Sequence, residues 1–527
     1  MKRREFIKNS GKVIALGSIL PGFSISALAA HNSMSDMLAA SANLNDNVLV
    51  MIQLNGGNDG LNTLIPLDQY SKLSLFRQNI LIPESKLLKL NGKDATCLHP
   101  SMTGVQSLYN EGKVNFIQGV GYPNQNFSHF RSTDIWLSGS DADKVVPTGW
   151  MGRYLNYEFP NFPEGFPNND MPDPLGIQIG AFVSPVFQGP IFPMAISISN
   201  DKDFYDIVNG TDTTVPNNAI GKELAYIREV KGQAQNFNQV IKTAAGKVTT
   251  QYTYPTGNKL ADQLKIVAKL IKGGLKTKVY MVDLGGFDNH AGQVDTSDVT
   301  KGTHATLLKT LSDAIQAFQK DLEFLGIDDR VVGMTMSEFG RRIASNASLG
   351  TDHGSALPMM VFGKNVNSGI LGANPNIPSA SNPNDNLAMQ YDFRSVYASI
   401  LRDWFCVDTS SLQTILLNNY QQLPILKSGN CTSSIHEINQ QAGLKWIDAF
   451  PNPFVDKLTI EYTTKGGHTM IQLFDTEGKL IESFVNESKL PGTYTYTYYP
   501  PYISKGVYYC RFQNESIQQV VTLISER

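Results

Sequence analysis

Three apolar runs in this chain each end in a turn that carries acidic or imidazole groups. Val48-Leu-Val-Met-Ile-Gln-Leu54 leads into Asn55-Gly-Gly-Asn-Asp59, and Lys278 to Leu284 leads into Gly285-Gly-Phe-Asp-Asn-His290. Val331 to Met336 leads into Ser337-Glu-Phe-Gly-Arg341, with Asp352-His353-Gly354 a short loop further on. Runs apolar along their whole length belong in a sheet covered on both faces, because alternate side chains point to opposite sides and both sides need burial. In such sheets ligands bind outside the carboxyl ends of the strands. The three turns are therefore expected at one pocket, and an adjacent carboxylate and imidazole after a buried strand are hard to explain as core.

The stretches between these runs have helical spacing. Leu260, Leu264, Val267, Leu270 and Ile271 repeat on one face, as do Leu307, Leu308, Leu311, Ile315, Phe318, Leu322 and Leu325. Val114 to Val120 reads as a further strand, followed by a polar stretch from Tyr122 and a helix over Arg131 to Leu137. A strand, a turn and a helix start in that order offer backbone N–H groups to an anion. Met359 to Phe362 reads as another strand, and Asp392 to Trp404 as a closing helix. Alternating strands and helices predict a layered α/β domain over about residues 47–425. Within it, residues 147–255 are irregular and rich in proline, glycine and aromatics, which reads as a cap or insertion beside the site.

After residue 425 the character changes. Residues 426–445 are polar and linker-like, and 446–527 break into short alternating strands. Leu458 to Tyr462, Met470 to Phe474, Tyr494 to Tyr498 and Val507 to Phe512 alternate, and Asp475-Thr-Glu-Gly478 is a hairpin turn signal. A small, separable β-sandwich is expected there.

Composition narrows the function classes. The 527 residues are 41% hydrophobic and 17% charged with a formal net charge of -3, which is ordinary globular composition with no basic footprint for nucleic acid. The four cysteines, Cys97, Cys406, Cys431 and Cys510, lie far apart without metal-ligand spacing, so they are expected neither to staple the fold nor to build a zinc site. Residues 1–30 join a basic start, Lys2-Arg-Arg-Glu-Phe-Ile-Lys8, to an apolar run ending at Ala27-Leu-Ala-Ala30. That is an export signal, too short and glycine-broken to span a bilayer. Arg3-Arg4-x-Phe6 favours the twin-arginine route, which carries folded proteins, over a general secretory signal with incidental arginines. Residues 31–46 read as a spacer, and the mature chain is expected to lack a transmembrane anchor.

Aspartate and histidine donors suit a divalent metal, zinc first, with manganese or iron as alternatives. The candidate ligands are Asp59, Asp288, His290, Asp352 and His353, with Glu338 as ligand or as support for one. One or two such ions would stabilise both entering and leaving oxygens of a phosphoryl or sulfuryl group. Ser128, beside His129 at the helix start, is the candidate nucleophile, and Arg131 and Arg341 are candidates to grip the oxyanion. Each has a plain structural rival. Asp59 in Asn-Asp-Gly can form a turn, Asp288-Asn-His290 can be a turn with a solvent-facing ring, and Ser128 can be a helix cap. Arg342 reads as a surface charge.

Six ordered motifs carry a family resemblance over about residues 47 to 410. They are Gln53 to Asn62, Ser128-His-Phe130, Gly149-Trp-Met-Gly-Arg153, Gly285 to His290, Ser337-Glu-Phe-Gly-Arg341 and Asp352-His-Gly354. Together they resemble the exported family called domain of unknown function 1501, related to the alkaline phosphatase-like superfamily that includes sulfatases and phosphomutases. The resemblance implies a central sheet flanked by helices, a one- or two-metal centre and a Ser/Thr or modified Cys nucleophile. It matches Asp59 to the first-strand carboxylate, Asp288 and His290 to the middle pair, and Asp352 with His353 to the late pair. The chain departs from that pattern: no histidine follows His353 until His436, so a second metal would be incomplete or would use His129 or His99. A sulfatase-type Cys-x-Pro-x-Arg motif is absent. In the tail, Phe450-Pro-Asn-Pro-Phe454, Leu473-Phe-Asp475, Gly478-Lys-Leu480, Gly492-Thr-Tyr494 and Gly506-Val-Tyr-Tyr509 resemble the C-terminal sorting domain of the type IX secretion system of Bacteroidetes.

The expectation is an exported metal-dependent hydrolase of phosphate or sulfate esters acting on a small molecule or glycan. It would reach the surface or medium of a Gram-negative bacterium through the twin-arginine and type IX machineries. The alternative is a non-catalytic surface protein of the same fold that binds a glycan or envelope component. A transferase or mutase with the same nucleophile is a third reading.

Overall fold

The computed structural model describes residues 46–199, 237–427 and 447–526, apart from positions 161, 164–165, 169–170, 238, 381, 465, 476–478, 491, 501–502 and 515–516. The expected signal at 1–30, nearly all of the spacer and of the linker, the middle of the 147–255 insertion and the turn at 476–478 lie outside the described residues. The chain divides into two compact units, 1–432 and 433–527.

The first unit is built on a nine-stranded mixed sheet. Its strands are β1 (Val48–Asn55), β2 (Val114–Gly121), β3 (Gly176–Ile179), β4 (Ile196–Ile198), β5 (Val279–Gly285), β6 (Val331–Met336), β9 (Leu357–Phe362), β10 (Gly369–Leu371) and β11 (Tyr391–Asp392). A small antiparallel pair, β7 (Arg341–Ser345) and β8 (Thr351–His353), stands outside it. The order is β10-β2-β9-β6-β1-β5-β3-β4, with β11 also on β2. Pairing is parallel throughout except at β9, which runs antiparallel to both β2 and β6. The carboxyl ends of β1, β2, β5 and β6 consequently share one edge with the start of β9.

Strand alternation divides the core in two. Val48, Val50, Ile52 and Leu54 of β1 face one cluster, together with the helices α1 (Thr103–Asn110), α4 (Lys259–Lys272) and α5 (Thr303–Leu325). Leu49 and Met51 face the other, against α2 (His129–Ser138), α3 (Trp150–Glu158) and α6 (Phe393–Asp403). This two-sided burial is what the unbroken apolar runs call for. The residues of β1 from Val48 to Ile52 are at most 1% exposed.

The described part of the 147–255 stretch, expected as a cap or insertion beside the site, joins the sheet and core: β3 and β4 extend the sheet edge, and Trp150, Met151 and Tyr154 of α3 are core. These strands are too short for periodicity to reveal. The reading that no cysteine staples the fold is corrected, since Cys406 is disulfide-bonded, whereas Cys97 and Cys510 are free and buried.

The second unit has the expected β-sandwich make-up. A three-stranded sheet (Ile447–Phe450, Leu458–Thr464, Gly492–Tyr498) and a four-stranded sheet (Gly467–Phe474, Leu480–Lys489, Gly506–Asn514, Ile517–Ser525) contribute to one apolar core. Ile460, Ile471, Leu473 and Phe512 lie at its centre, fully buried.

Candidate metal centre

The turn after β1 lies under the site. Gly56 and Gly57 have φ of +120° and +78°, a region that glycine enters without strain. A Cβ on Gly56 would lie 2.3 Å from the Asp288 nitrogen, and one on Gly57 2.4 Å from the Phe339 ring. This close approach aims the Gly56 and Gly57 carbonyls at Arg341, whose guanidinium donates to both, to the Thr351 carbonyl (2.7 Å), to the Phe287 carbonyl (3.0 Å) and to Asp288 Oδ1 (2.8 Å). Arg341 is 1% exposed and ties the turns after β1 and β5 to the β7–β8 pair. Its expected role on a substrate oxyanion is corrected, because its N–H groups face protein oxygens.

Above Arg341, three imidazoles converge on the Asp288 carboxylate. His129 Nε2 lies 3.4 Å from Oδ2, while His290 Nε2 and His353 Nε2 lie 3.2 and 3.3 Å from Oδ1. The facing atoms of His129, Asp288 and His353 are all within 4.8 Å of one another. In each ring the other nitrogen meets an acceptor. His129 Nδ1 is 2.8 Å from Glu338 Oε1, His290 Nδ1 is 2.9 Å from Asp352 Oδ1, and His353 Nδ1 is 2.7 Å from the Phe127 carbonyl. Acceptors at Nδ1 place the proton there and leave each neutral ring with a bare Nε2. His290 Nε2 and His353 Nε2 are 2.9 Å apart. Two bare lone pairs at that separation repel, as both do the nearby carboxylate, so the arrangement calls for a cation or a proton between them. His129 Nε2 is buried and has no hydrogen-bond partner among the described residues. A donor set of imidazole nitrogens and one carboxylate fits zinc, manganese or iron.

The charges agree with this. Burial opposes ionisation of Asp288, but the hydrogen bond and charge of Arg341 and the nearby imidazoles outweigh it and hold the carboxyl below its usual range. Asp352 is also lowered, first by its hydrogen bond from His290. Burial makes the His353 imidazole harder to protonate than usual, which favours the neutral ring that a metal would require. Phe339 packs on the His129 and His353 rings at 4.8 and 4.6 Å, fixing their planes.

The other expected site residues separate from this cluster. Glu338 is buried and accepts from the Gly56 N–H (2.9 Å) and from His129, so it orients the His129 ring. Asp352 holds His290 in the same manner. Asp59 is corrected as a ligand: both its oxygens face Arg77 Nη1 at 3.1 and 2.9 Å, and Gln293 donates to Oδ2 at 2.6 Å. Arg131 is corrected as an oxyanion grip, since it donates to Asp134 and to the carbonyls of Asp141, Ala142 and Lys144. Ser128 precedes α2 with extended backbone angles, yet its side chain makes no capping hydrogen bond. His129, weighed above only for a second ion, belongs to the main cluster. Its place directly after the candidate nucleophile was the available signal.

His99 does not join the cluster. It packs edge-on to His304 beneath the site, with ring centroids 6.1 Å apart, and both rings are buried. Burial pushes His99 down to about 3 and His304 down to about 4. Folded values below the unfolded value near 6.5 mean that the unfolded chain takes up protons first as pH falls. The stability these neutral rings contribute is complete above pH 6.5 and declines between pH 6.5 and 4, by about 1.4 kcal/mol per pH unit for each ring. Denaturant unfolding at pH 7, 5.5 and 4.5 should show this decline, and a His304→Gln variant should show a shallower one.

Comparison with known proteins agrees with the two-unit division. The family described as protein of unknown function (DUF1501) matches residues 241–402, and the secretion system C-terminal sorting domain matches residues 448–526. The chain thus has a segment similar to DUF1501 and a tail similar to the sorting domain of the type IX secretion system, and such a tail implies export to the cell surface or beyond. Among the described residues no helix is long and apolar enough to cross a membrane. No curated protein matches the chain. Among solved structures, PorZ, a bacterial surface component of the type IX secretion system of Porphyromonas gingivalis, is similar at 15% identity over 20% of this chain, with a TM-score of 0.14. That match spans 14% of the PorZ chain. An alkaline phosphatase superfamily protein from Vibrio parahaemolyticus is similar at 10% identity over 82% of this chain and 81% of its own, with a TM-score of 0.32. The PsFucS1 sulfatase from Pseudoalteromonas sp. is similar at 11% identity over 88% and 86%, with a TM-score of 0.31.

Proposed function

We propose that this chain is an exported metal-dependent hydrolase of phosphate or sulfate esters, with its metal held by His129, Asp288, His290 and His353. The observation that carries the reading is the convergence of three Nε2 atoms on one carboxylate, each ring held by an acceptor at its far nitrogen. A bound divalent metal, zinc by donor type, would supply charge neutralisation at the non-bridging oxygens of the ester. Ser128 Oγ, free of a capping bond, is the nucleophile: it bonds to phosphorus or sulfur as the bond to the ester oxygen breaks, its hydroxyl proton leaves with that oxygen as the alcohol, and water then adds to the same centre, returning a proton to Oγ and releasing the acid. Glu338, Asp352 and the Phe127 carbonyl keep the imidazoles in one tautomer, and Arg341 keeps Asp288 ionised. Passage through the twin-arginine and type IX routes belongs to the same reading.

One observation favours a non-catalytic binding protein instead: the two arginines expected to grip an oxyanion, Arg131 and Arg341, are both engaged with protein oxygens. A screen of phosphate and sulfate esters on metal-loaded wild type and Ser128→Ala separates the readings. Turnover is expected in wild type and a loss of roughly three orders of magnitude or more in the variant. Bound metal with no turnover of any ester would favour the binding protein. Loss of turnover in Asp352→Ala but not in Ser128→Ala would retain the metal centre and remove the nucleophile.

A further inference from the structure

We propose that Arg342 is the residue that grips the anionic group of the substrate, a phosphate or a sulfate, with the Phe127 ring as the platform that aims it. The assignment rests on the ester-hydrolase reading and supplies the cation that reading lacks. A tetrahedral oxyanion is best held by a guanidinium with free N–H groups, and three arginines near the site are turned to protein oxygens instead. Arg341 is buried among carbonyls, Arg131 is turned to the 141–144 loop, and Arg77 is divided between Asp59 and the carbonyls of Ile343 and Arg342. Arg342 differs. Its side chain makes one hydrogen bond among the described residues, from Nη1 to the Asn384 carbonyl, which leaves Nε and Nη2 uncommitted.

Position supports the same conclusion. Arg341 pairs with His353 across the β7–β8 ladder, and Arg342 follows with its side chain partly exposed where that of Arg341 is buried. Its guanidinium lies 5.6 Å from the centre of the Phe127 ring, and the carbonyl of Phe127 is what orients His353. Phe127 is 37% exposed, so the stacked pair borders solvent at the edge of the cluster. A planar cation stacked on an aromatic face keeps its donor edge free and loses little freedom on binding.

The test is calorimetric titration of inorganic phosphate and of sulfate into the zinc-loaded full chain, with metal content and thermal melting measured on each protein. Wild type is expected to bind at least one of the two anions, and the stronger one names the ester class. Arg342→Gln should lose that affinity tenfold or more with unchanged metal content and melting. Arg342→Lys should recover part of the loss, and Phe127→Leu, which keeps the carbonyl to His353, should fall between. Equal anion affinity in wild type and Arg342→Gln would overturn the assignment while ester turnover by wild type left the hydrolase reading standing. Wild type that holds metal but binds neither anion and turns over no ester would overturn both.

Discussion

Arg341→Met should destabilise the first unit by about 3–5 kcal/mol, the range for removing one member of a buried charged network. The arginine donates to the carbonyls of Gly56, Gly57, Phe287 and Thr351, and methionine fills the volume while removing that donor from all four, of which the Phe287 carbonyl keeps the Asn289 N–H. Each buried carbonyl so stranded costs about 1–3 kcal/mol unless water reaches it. The same change removes the hydrogen bond that keeps Asp288 ionised, so metal affinity should fall together with stability. Denaturant unfolding and elemental analysis of the same preparation check both effects. An Arg341→Met protein that unfolds at the wild-type denaturant concentration would show that the arginine is not the clamp between the β1 and β5 turns.

Asp288→Ala should do the opposite: a large loss of metal with little loss of stability. The Asp288 side chain is 47% exposed, so its removal leaves no dry cavity. What it removes is the charge on which three imidazoles converge. Metal affinity should fall by well over the ~100-fold that loss of a supporting residue costs, and ester turnover should fall with it. Competition dialysis against a chelator measures the first, and unfolding with metal removed from both proteins measures the second. The contrast between these two variants separates the frame that positions the site from the groups that bind.

Much of the frame was legible because the signals were local. Val48 to Leu54 and Val331 to Met336 read as buried strands since neither has a polar face, and the structure buries both faces. Helices α4 and α5 followed from apolar spacing. The strands β3 and β4 were not legible, being four and three residues long within a proline- and glycine-rich stretch. In the site, sequence pointed to the right turns but could not divide the labour among their polar groups. Asp59 and Asp288 both follow a strand and a glycine, yet Asp59 meets Arg77, a helix cap residue whose partner is set by tertiary packing alone. Arg341 and Arg342 are neighbours in sequence, and only the geometry of the β7–β8 pair shows that the first is enclosed and the second has free donors.

The central claim is tested most directly by crystals of the full chain grown with zinc and measured by anomalous diffraction at the zinc edge. The predicted result is a strong peak within bonding distance of Asp288 and of the Nε2 atoms of His129 and His353, lost in Asp288→Ala. A peak at Asp59, or none near these three side chains at saturating zinc, would contradict it.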